Sequence, residues 1–259
     1  MFTPPPDKSI LRKMGYISDQ KGIINRYFRE HIGWSEHIRN TRDFILRCLS
    51  DQPVTELVVL GSGWLLDFPL EDLYRKVRKI TLIDICHPPQ VQKKIKSFPG
   101  VECVAADITG GFAKKVFDSV SDCRRKRTPY CFDDKMTKPE IEEDDGRVFL
   151  SLNILNQLDI LIVDYIKSRV PVTDENILKI RQKLQQEHMN LLMGRRFILV
   201  TDYKELIYNK DGEEESSVNL LYTDLPPASH SEQWIWQFDN KGMYNPGRKT
   251  FMKVIGMSS

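Results

Sequence analysis

The run Leu57-Val58-Val59-Leu60-Gly61-Ser62-Gly63 decides the fold. Four apolar residues without alternation suit a strand buried on both faces, and the glycine pair after them suits a tight turn. Asp67, Pro69, Glu71 and Asp72 then have the composition of a helix opening, with acids and a proline in the first turn. The same punctuation returns twice. Ile80-Thr81-Leu82-Ile83-Asp84 reads as a second strand closed by a carboxylate, and Pro88 and Pro89 open another helix. Val101 to Asp107 reads as a third strand, again closed by an acid. Strand, helix, strand, helix, strand with short connections predicts parallel βαβ units.

Downstream, Arg147 to Asn153 reads as a fourth strand with a polar end, and Ile154 to Tyr165 as helical. Thr173 starts a longer helix that Gly194 stops, and Phe197 to Asp202 is a fifth strand. The pattern then turns antiparallel. Glu205 to Tyr208, Val218 to Tyr222, Gln233 to Phe238 and Lys249 to Ile255 are short strands, with turn signals at Asp211-Gly212 and Asp239 to Gly242. Upstream, Gln20 to Ser50 carries helical spacing, with a break expected at Gly33, and residues 1–18 read as a loose arm. The division expected is a preface over 1–50, part of the same unit as a domain over 51–259. Within that domain, 113–146 reads as an exposed insertion, because Arg124 to Arg127 are all basic and Glu140 to Asp145 hold five acids.

Composition narrows the function. Hydrophobic residues make up 41% of the 259 residues and charged residues 29%, enough apolar material for a core and too much for wholesale disorder. Lys+Arg less Asp+Glu is 38 − 36 = +2, which does not mark a dedicated nucleic-acid binder. No apolar run approaches the roughly 18 residues of a membrane span. The start, Met1 to Pro6, lacks the order of a signal peptide. The five cysteines are scattered without a C-x-x-C pair, so a reducing, cytoplasmic setting is expected. His31 and His37 are out of register for sharing a metal, and no metal is expected.

Ligands of parallel α/β sheets bind at the carboxyl ends of the strands. Gly61-Ser62-Gly63, Asp84, Asp107 and Ser151 to Asn153 all fall there. Asp84 lies 23 residues after Gly61, close to the offset of roughly 20 that sets an acid on a ribose diol. Glycines let the backbone approach a ligand closely. Singly, each acid could cap the next helix. Together, at successive strand ends, they point to a nucleoside.

These segments, Leu57 to Gly63, Ile83-Asp84, Ala106-Asp107 and Ser151-Leu152-Asn153, resemble the class I S-adenosylmethionine-dependent methyltransferases. The two last strands are similar to that family's terminal hairpin, and the likeness covers about residues 55–256. The segment Gly61 to Glu71 resembles uncharacterised bacterial methyltransferase-like proteins. The resemblance implies a Rossmann-like, mostly parallel seven-stranded sheet with helices on both faces, an antiparallel terminal hairpin and an N-terminal helical preface. It implies S-adenosylmethionine as cofactor. Gly61, Ser62 and Gly63 would face its methionine part, Asp84 with Ile85 its ribose, and Asp107 with Ile108 its adenine. Asn153 would face the transferable methyl. The chain departs from the family at Val59, where an acid is common, and at Leu65, where a third glycine is common. Its fourth motif, Ser151 to Ile154, argues against methylation of a base or a glutamine amide.

Methyl transfer needs an acceptor aligned at about 3–3.5 Å with water excluded, and a base where the acceptor carries a proton. His37, on the preface, and Asp202, after the fifth strand, are the candidate catalytic groups. Trp34 and Tyr165 are candidates to hold a substrate. Each also suits an ordinary packing or capping role. The function expected is a methyltransferase for a small-molecule acceptor, with neither nucleic acid nor membrane as partner. The alternatives are a catalytically silent protein of the same fold that binds the nucleoside, and an NAD-dependent oxidoreductase. A nucleic-acid methylase rests on Arg124 to Arg127 alone.

Overall fold

The computed structural model describes residues 2–50, 53–133 and 146–259. The acidic run Glu140 to Asp145 lies outside them. Four strands follow the expected alternation: β1 (Glu56–Leu60), β2 (Lys79–Asp84), β3 (Val101–Ala105) and β4 (Arg147–Leu152). They are followed by β5 (Arg196–Tyr208), β6 (Glu214–Asn219), β7 (His230–Asp239) and β8 (Lys249–Ser258). The sheet runs β3-β2-β1-β4-β5-β8-β7, with β6 paired to β5 off that path. Strands β1 to β5 are parallel, and β8 enters antiparallel between β5 and β7. This is the Rossmann-like sheet with a terminal hairpin.

The apolar run of β1 serves two cores. Val58 and Leu60 pack on one side of the sheet with Ile83, Phe149, Phe197 and Leu199. Leu57 and Val59 pack on the other with Ile80, Leu82, Leu150 and Val200. A parallel sheet covered on both faces needs such unbroken runs, and each buried aliphatic side chain contributes roughly 1.5–3 kcal/mol. The first core is covered by α5 (Phe112–Lys126), α6 (Ile160–Lys167) and α7 (Asp174–Leu192). The second is covered by α2 (Tyr16–Cys48), α3 (Leu70–Leu73) and α4 (Pro89–Ile95). Thr173 caps α7 by accepting from Asn176 N.

Several expectations need correction. Among the described residues the sheet has eight strands, not seven. Glu205 to Tyr208 is no separate strand but the outer half of β5, which runs past the parallel edge and pairs there with β6. Residues 113–126 are not an exposed insertion. They are α5, with Ala113, Val116 and Val120 buried in the core. Its charged face, which misleads the eye, is simply its solvent side. Residues 1–18 are not a loose arm either: α1 (Lys8–Lys13) buries Ile10 and Leu11, and Thr3 bridges Asp107. The segment Ile154 to Tyr165 divides into a 3-10 turn, Leu155–Gln157, and the start of α6.

Gly33 does not break α2. The helix kinks at Glu30 instead (φ −110°, ψ 15°), and the buried Glu30 carboxylate accepts from Asn240 N. Gly33 is there for contact. A Cβ on it would lie 2.8 Å from Gln237 O and 2.6 Å from Asn240 Nδ2, so only glycine lets α2 lie this close to β7.

Candidate active site

The chain runs outward from β1 to β3, then returns to β4 on the other flank of β1. Such a reversal opens a crevice at the carboxyl edge. Register lines this edge up: Leu60 faces Ile83 and Ser151, and Asp84 faces Ala105. The next residues, Gly61, Asp84, Asp107 and Asn153, therefore stand together. They line a cavity of about 310 Å³, at the lower end of the range for ligand sites.

Gly61 and Gly63 do different work. A Cβ on Gly61 (φ +80°) would lie 2.6 Å from Ile154 Cβ, so this glycine lets the turn pack on the end of β4. A Cβ on Gly63 (φ +46°) would meet nothing closer than Gly61 O at 4.0 Å, which leaves its face open. Gly63 N donates to Asp84 Oδ2 at 2.9 Å, and Cys86 N donates to Oδ1 at 3.2 Å. The acid thus fixes the glycine turn and still has lone pairs to spare. It does not cap α4, whose N-cap is Pro88. At Leu65, where the resemblance would put a third glycine, the backbone is nonetheless left-handed (φ +57°). That conformation costs roughly 1–2 kcal/mol for an L-residue, and burial of the leucine side chain offsets it.

Asp107 is held by its own loop. Its Oδ1 accepts from Thr109 N at 2.9 Å and Thr109 Oγ1 at 2.5 Å, and its N donates to Thr3 O. Its Oδ2 is buried without a partner, as are Ser62 Oγ and Gln20 Oε1, whose residues also line the cavity. Burial raises the carboxyl pKa of both Asp84 and Asp107. Ile85 and Ile108 also line the cavity.

Helix α2 roofs the cavity with Tyr16, Asp19, Gln20, Ile23, Arg26, Trp34, His37 and Ile38. His37 is buried, and its ring stacks on Trp236 at 4.1 Å. Trp234 Nε1, which can only donate, points at His37 Nδ1 at 3.0 Å. Nδ1 is therefore the acceptor and the ring proton sits on Nε2. Burial lowers the pKa to about 3, so the ring stays neutral. With its lone pair engaged by Trp234, His37 is a poor base, and the structure makes it a packing and orienting group. Trp34 likewise packs, donating to Phe238 O at 2.9 Å and stacking on Phe238, although its edge reaches the cavity. Tyr165 is not brought to the cavity at all. It lies in the core between α5 and α6, stacked on Phe117.

Asp202 is at the cavity wall, where β5 bulges against β8 between Asp202 and Lys204. Bulges re-aim side chains beside functional sites. Asn156 Nδ2 donates to Asp202 Oδ2 at 3.0 Å, while Oδ1 is buried and unpartnered. Burial, with smaller contributions from Asp67 and Glu205, raises its pKa to about 6. Asn153, itself left-handed (φ +48°), donates from Nδ2 to Asp67 Oδ2 at 2.5 Å. Sequence reasoning does not find Asp67, Asn156, Glu205, Arg26, Phe238 and Tyr244 as lining residues. Only Asp67 carries a signal, and in sequence it looks like part of a helix opening. Among the described residues no cluster of His, Cys, Asp and Glu is arranged for a metal, and no helix is long and apolar enough to cross a membrane.

No protein-family model and no curated protein matches this sequence. Solved structures similar in fold include 1,6-didemethyltoxoflavin-N1-methyltransferase of Burkholderia thailandensis, bound to 1,6-didemethyltoxoflavin and S-adenosylhomocysteine. It is 11% identical, with a TM-score of 0.41, over 94% of this chain and 89% of that one. N-methyltransferase NodS of Bradyrhizobium japonicum WM9, in complex with S-adenosylhomocysteine, is 11% identical with a TM-score of 0.38, over 85% and 86%. The DhpI complex with the same ligand is 10% identical with a TM-score of 0.38, over 98% and 99%. At these identities what the chain does must come from its own cavity.

Proposed function

We propose that the chain is an S-adenosylmethionine-dependent methyltransferase for a small-molecule acceptor. The observation that carries this reading is one cavity, roofed by α2, that a glycine turn, two strand-end acids and the buried carboxylate of Asp202 line together. The residues fit the nucleoside. Asp84 would accept from the ribose hydroxyls, in charge-assisted bonds worth about 1.5–3 kcal/mol each. The unpartnered Asp107 Oδ2 would accept from an exocyclic amine, beside Ile108.

The cofactor, when bound, supplies a methyl group already activated on sulfur. The protein must then orient, exclude water and manage a proton. Helix α2 supplies the roof, and His37 and Trp34 hold it onto β7. Asn153 lines the same cavity, fixed through Asp67. Asp202 is the group suited to hold the acceptor's proton, since a carboxyl near pKa 6 exchanges protons close to neutrality.

Asp202, a buried carboxyl at the cavity wall, favours turnover over a catalytically silent protein of the same fold. The antiparallel hairpin after β5 departs from the all-parallel sheet of dinucleotide-binding oxidoreductases. Arg124 to Arg127, the only support for a nucleic-acid substrate, do not line the cavity.

The test is calorimetric titration with S-adenosylmethionine, S-adenosylhomocysteine and, as comparator, NAD. Micromolar binding of both adenosyl ligands with NAD at least a hundredfold weaker is expected. NAD binding as tightly as they do, or no adenosyl binding by ligand-free protein, contradicts the reading.

A further inference from the structure

The cavity has a charge and hydrogen-bond character that selects among acceptors. Six carboxylates, Asp19, Asp67, Asp84, Asp107, Asp202 and Glu205, line the whole cavity against one guanidinium, that of Arg26. Arg26 lies against the aromatic wall, with its guanidinium 4.6 Å from the centre of the Phe238 ring and 5.1 Å from that of Tyr244. Asp84 and Asp107 belong to the nucleoside half. Asp67, Asp202 and Glu205 remain for the acceptor, three carboxylates against the single Arg26 guanidinium.

The unpartnered atoms lean the same way. Two amide groups of the cavity donate to carboxylates: Asn156 to Asp202 and Asn153 to Asp67. That fixes their orientation and leaves Asn156 Oδ1 and Asn153 Oδ1 buried without donors, together with Asp202 Oδ1. Two donors, Trp236 Nε1 and Arg26 Nε, are likewise unpartnered. The acceptors still outnumber the donors, and with the excess of carboxylates they call for a ligand that brings N–H. Buried atoms of this kind are costly until a partner arrives. The remaining walls are Trp236, Phe238, Tyr244, Leu220 and Met252, apolar or aromatic surface that suits the body of a ligand rather than its charge.

Resting on the methyltransferase reading above, we propose that the acceptor is a primary or secondary amine on an aromatic or apolar body, taken up as the ammonium ion between Asp202 and Asp67 with the body on the apolar walls. An ammonium supplies up to three donors, an alcohol one and a carboxylate none. A carboxylate would also meet three like charges. In the reaction, one ammonium proton passes to Asp202 Oδ1. The nitrogen lone pair so freed forms the bond to the methyl carbon, and the carbon–sulfur pair stays on sulfur as a neutral thioether. The product leaves as the methylated ammonium, and Asp202 returns its proton to water.

The experiment is binding calorimetry with three matched probes: 2-phenylethylamine, 2-phenylethanol and 3-phenylpropionate. Each is titrated into the free protein and into protein saturated with S-adenosylhomocysteine. The amine is expected to bind at least tenfold tighter than the alcohol, with the carboxylate weakest. Asp202→Asn is expected to weaken the amine about tenfold and leave the alcohol unchanged. An amine that binds no tighter than either probe, or not at all, overturns the proposal while leaving a measured S-adenosylhomocysteine affinity intact. Unchanged amine affinity in Asp202→Asn also overturns it. Failure of S-adenosylhomocysteine to bind, with amine selection present in the free protein, instead overturns the methyltransferase reading and leaves the charge selection standing.

Discussion

The two halves of the cavity are built by different means. The nucleoside half is made from consecutive strand ends of a parallel sheet. Gly61, Asp84 and Asp107 are placed by register alone, each within a residue or two of the edge. The acceptor half is made from pieces far apart in the chain. His37 comes from α2, Asp67 from the loop before α3, Asn156 from the 3-10 turn, Asp202 from the β5 bulge and Trp236 from β7. The first half is local geometry repeated. The second exists only when α2 has docked on the hairpin. Changes in the first half should therefore be felt in affinity for the nucleoside, and changes in the second in turnover and in the seating of the roof.

The largest effect expected is on turnover. Asp202→Asn should lower methyl transfer about 10²–10⁴-fold, the range of a lost general base, with S-adenosylhomocysteine affinity unchanged. Equal loss of both would erase the division between the halves. The same variant should be more stable than the wild type. The carboxyl of Asp202 has a pKa of about 6 when folded against 3.8 ordinarily, so between these values the folded state holds the extra proton. Wild-type stability from this group falls as pH rises from about 4 to 6. At pH 7.5 the variant should gain up to ~3 kcal/mol, at about 1.4 kcal/mol per unit, and at pH 4 almost nothing. Urea unfolding at the two pH values reads the difference.

Asp84→Ala should weaken S-adenosylhomocysteine roughly 10–100-fold, from bonds of about 1.5–3 kcal/mol. It also releases Gly63 N, so a smaller loss would mean that Asp84 serves the turn alone. Gly33→Ala forces a Cβ against Gln237 O and Asn240 Nδ2. It should cost about 1–3 kcal/mol by overpacking, with turnover falling more than nucleoside affinity as the roof lifts. The smallest effect is at Trp234→Phe, which removes the donor to His37 Nδ1 and should cost about 1–3 kcal/mol or less, as one buried acceptor is left alone. Nitrogen-15 NMR should find the wild-type His37 ring neutral down to pH 5, with its proton on Nε2. A ring that titrates near pH 6.5 would contradict its burial against Trp234 and Trp236.

The same contrast explains what is legible in the sequence. Parallel strands announce themselves by unbroken apolar runs, and their ends by Gly61, Asp84, Asp107 and Asn153. These positions are readable because register, not tertiary detail, puts them on one edge. His37 is found by residue type, but its role is not, because that depends on Trp234, nearly two hundred residues away. Asp67 looks like a helix opening, and only the folded chain brings it to Asn153. Tyr165 has suitable chemistry but sits on a helix that points it into the core. Gly33 looks like a helix break because a glycine needed for close packing and one needed for a turn are identical in sequence. Helix α5 passes for an insertion since its charged residues outnumber the few buried ones that hold it.

The most direct test of this division is a crystal structure with S-adenosylhomocysteine bound. The ribose is expected on Asp84, the adenine beside Asp107 and Ile108, and the sulfur toward Asn153, with the chamber at Asp202 left free for an acceptor. An adenosyl group lodged among Trp236, Phe238 and Tyr244, away from Asp84, would contradict the division.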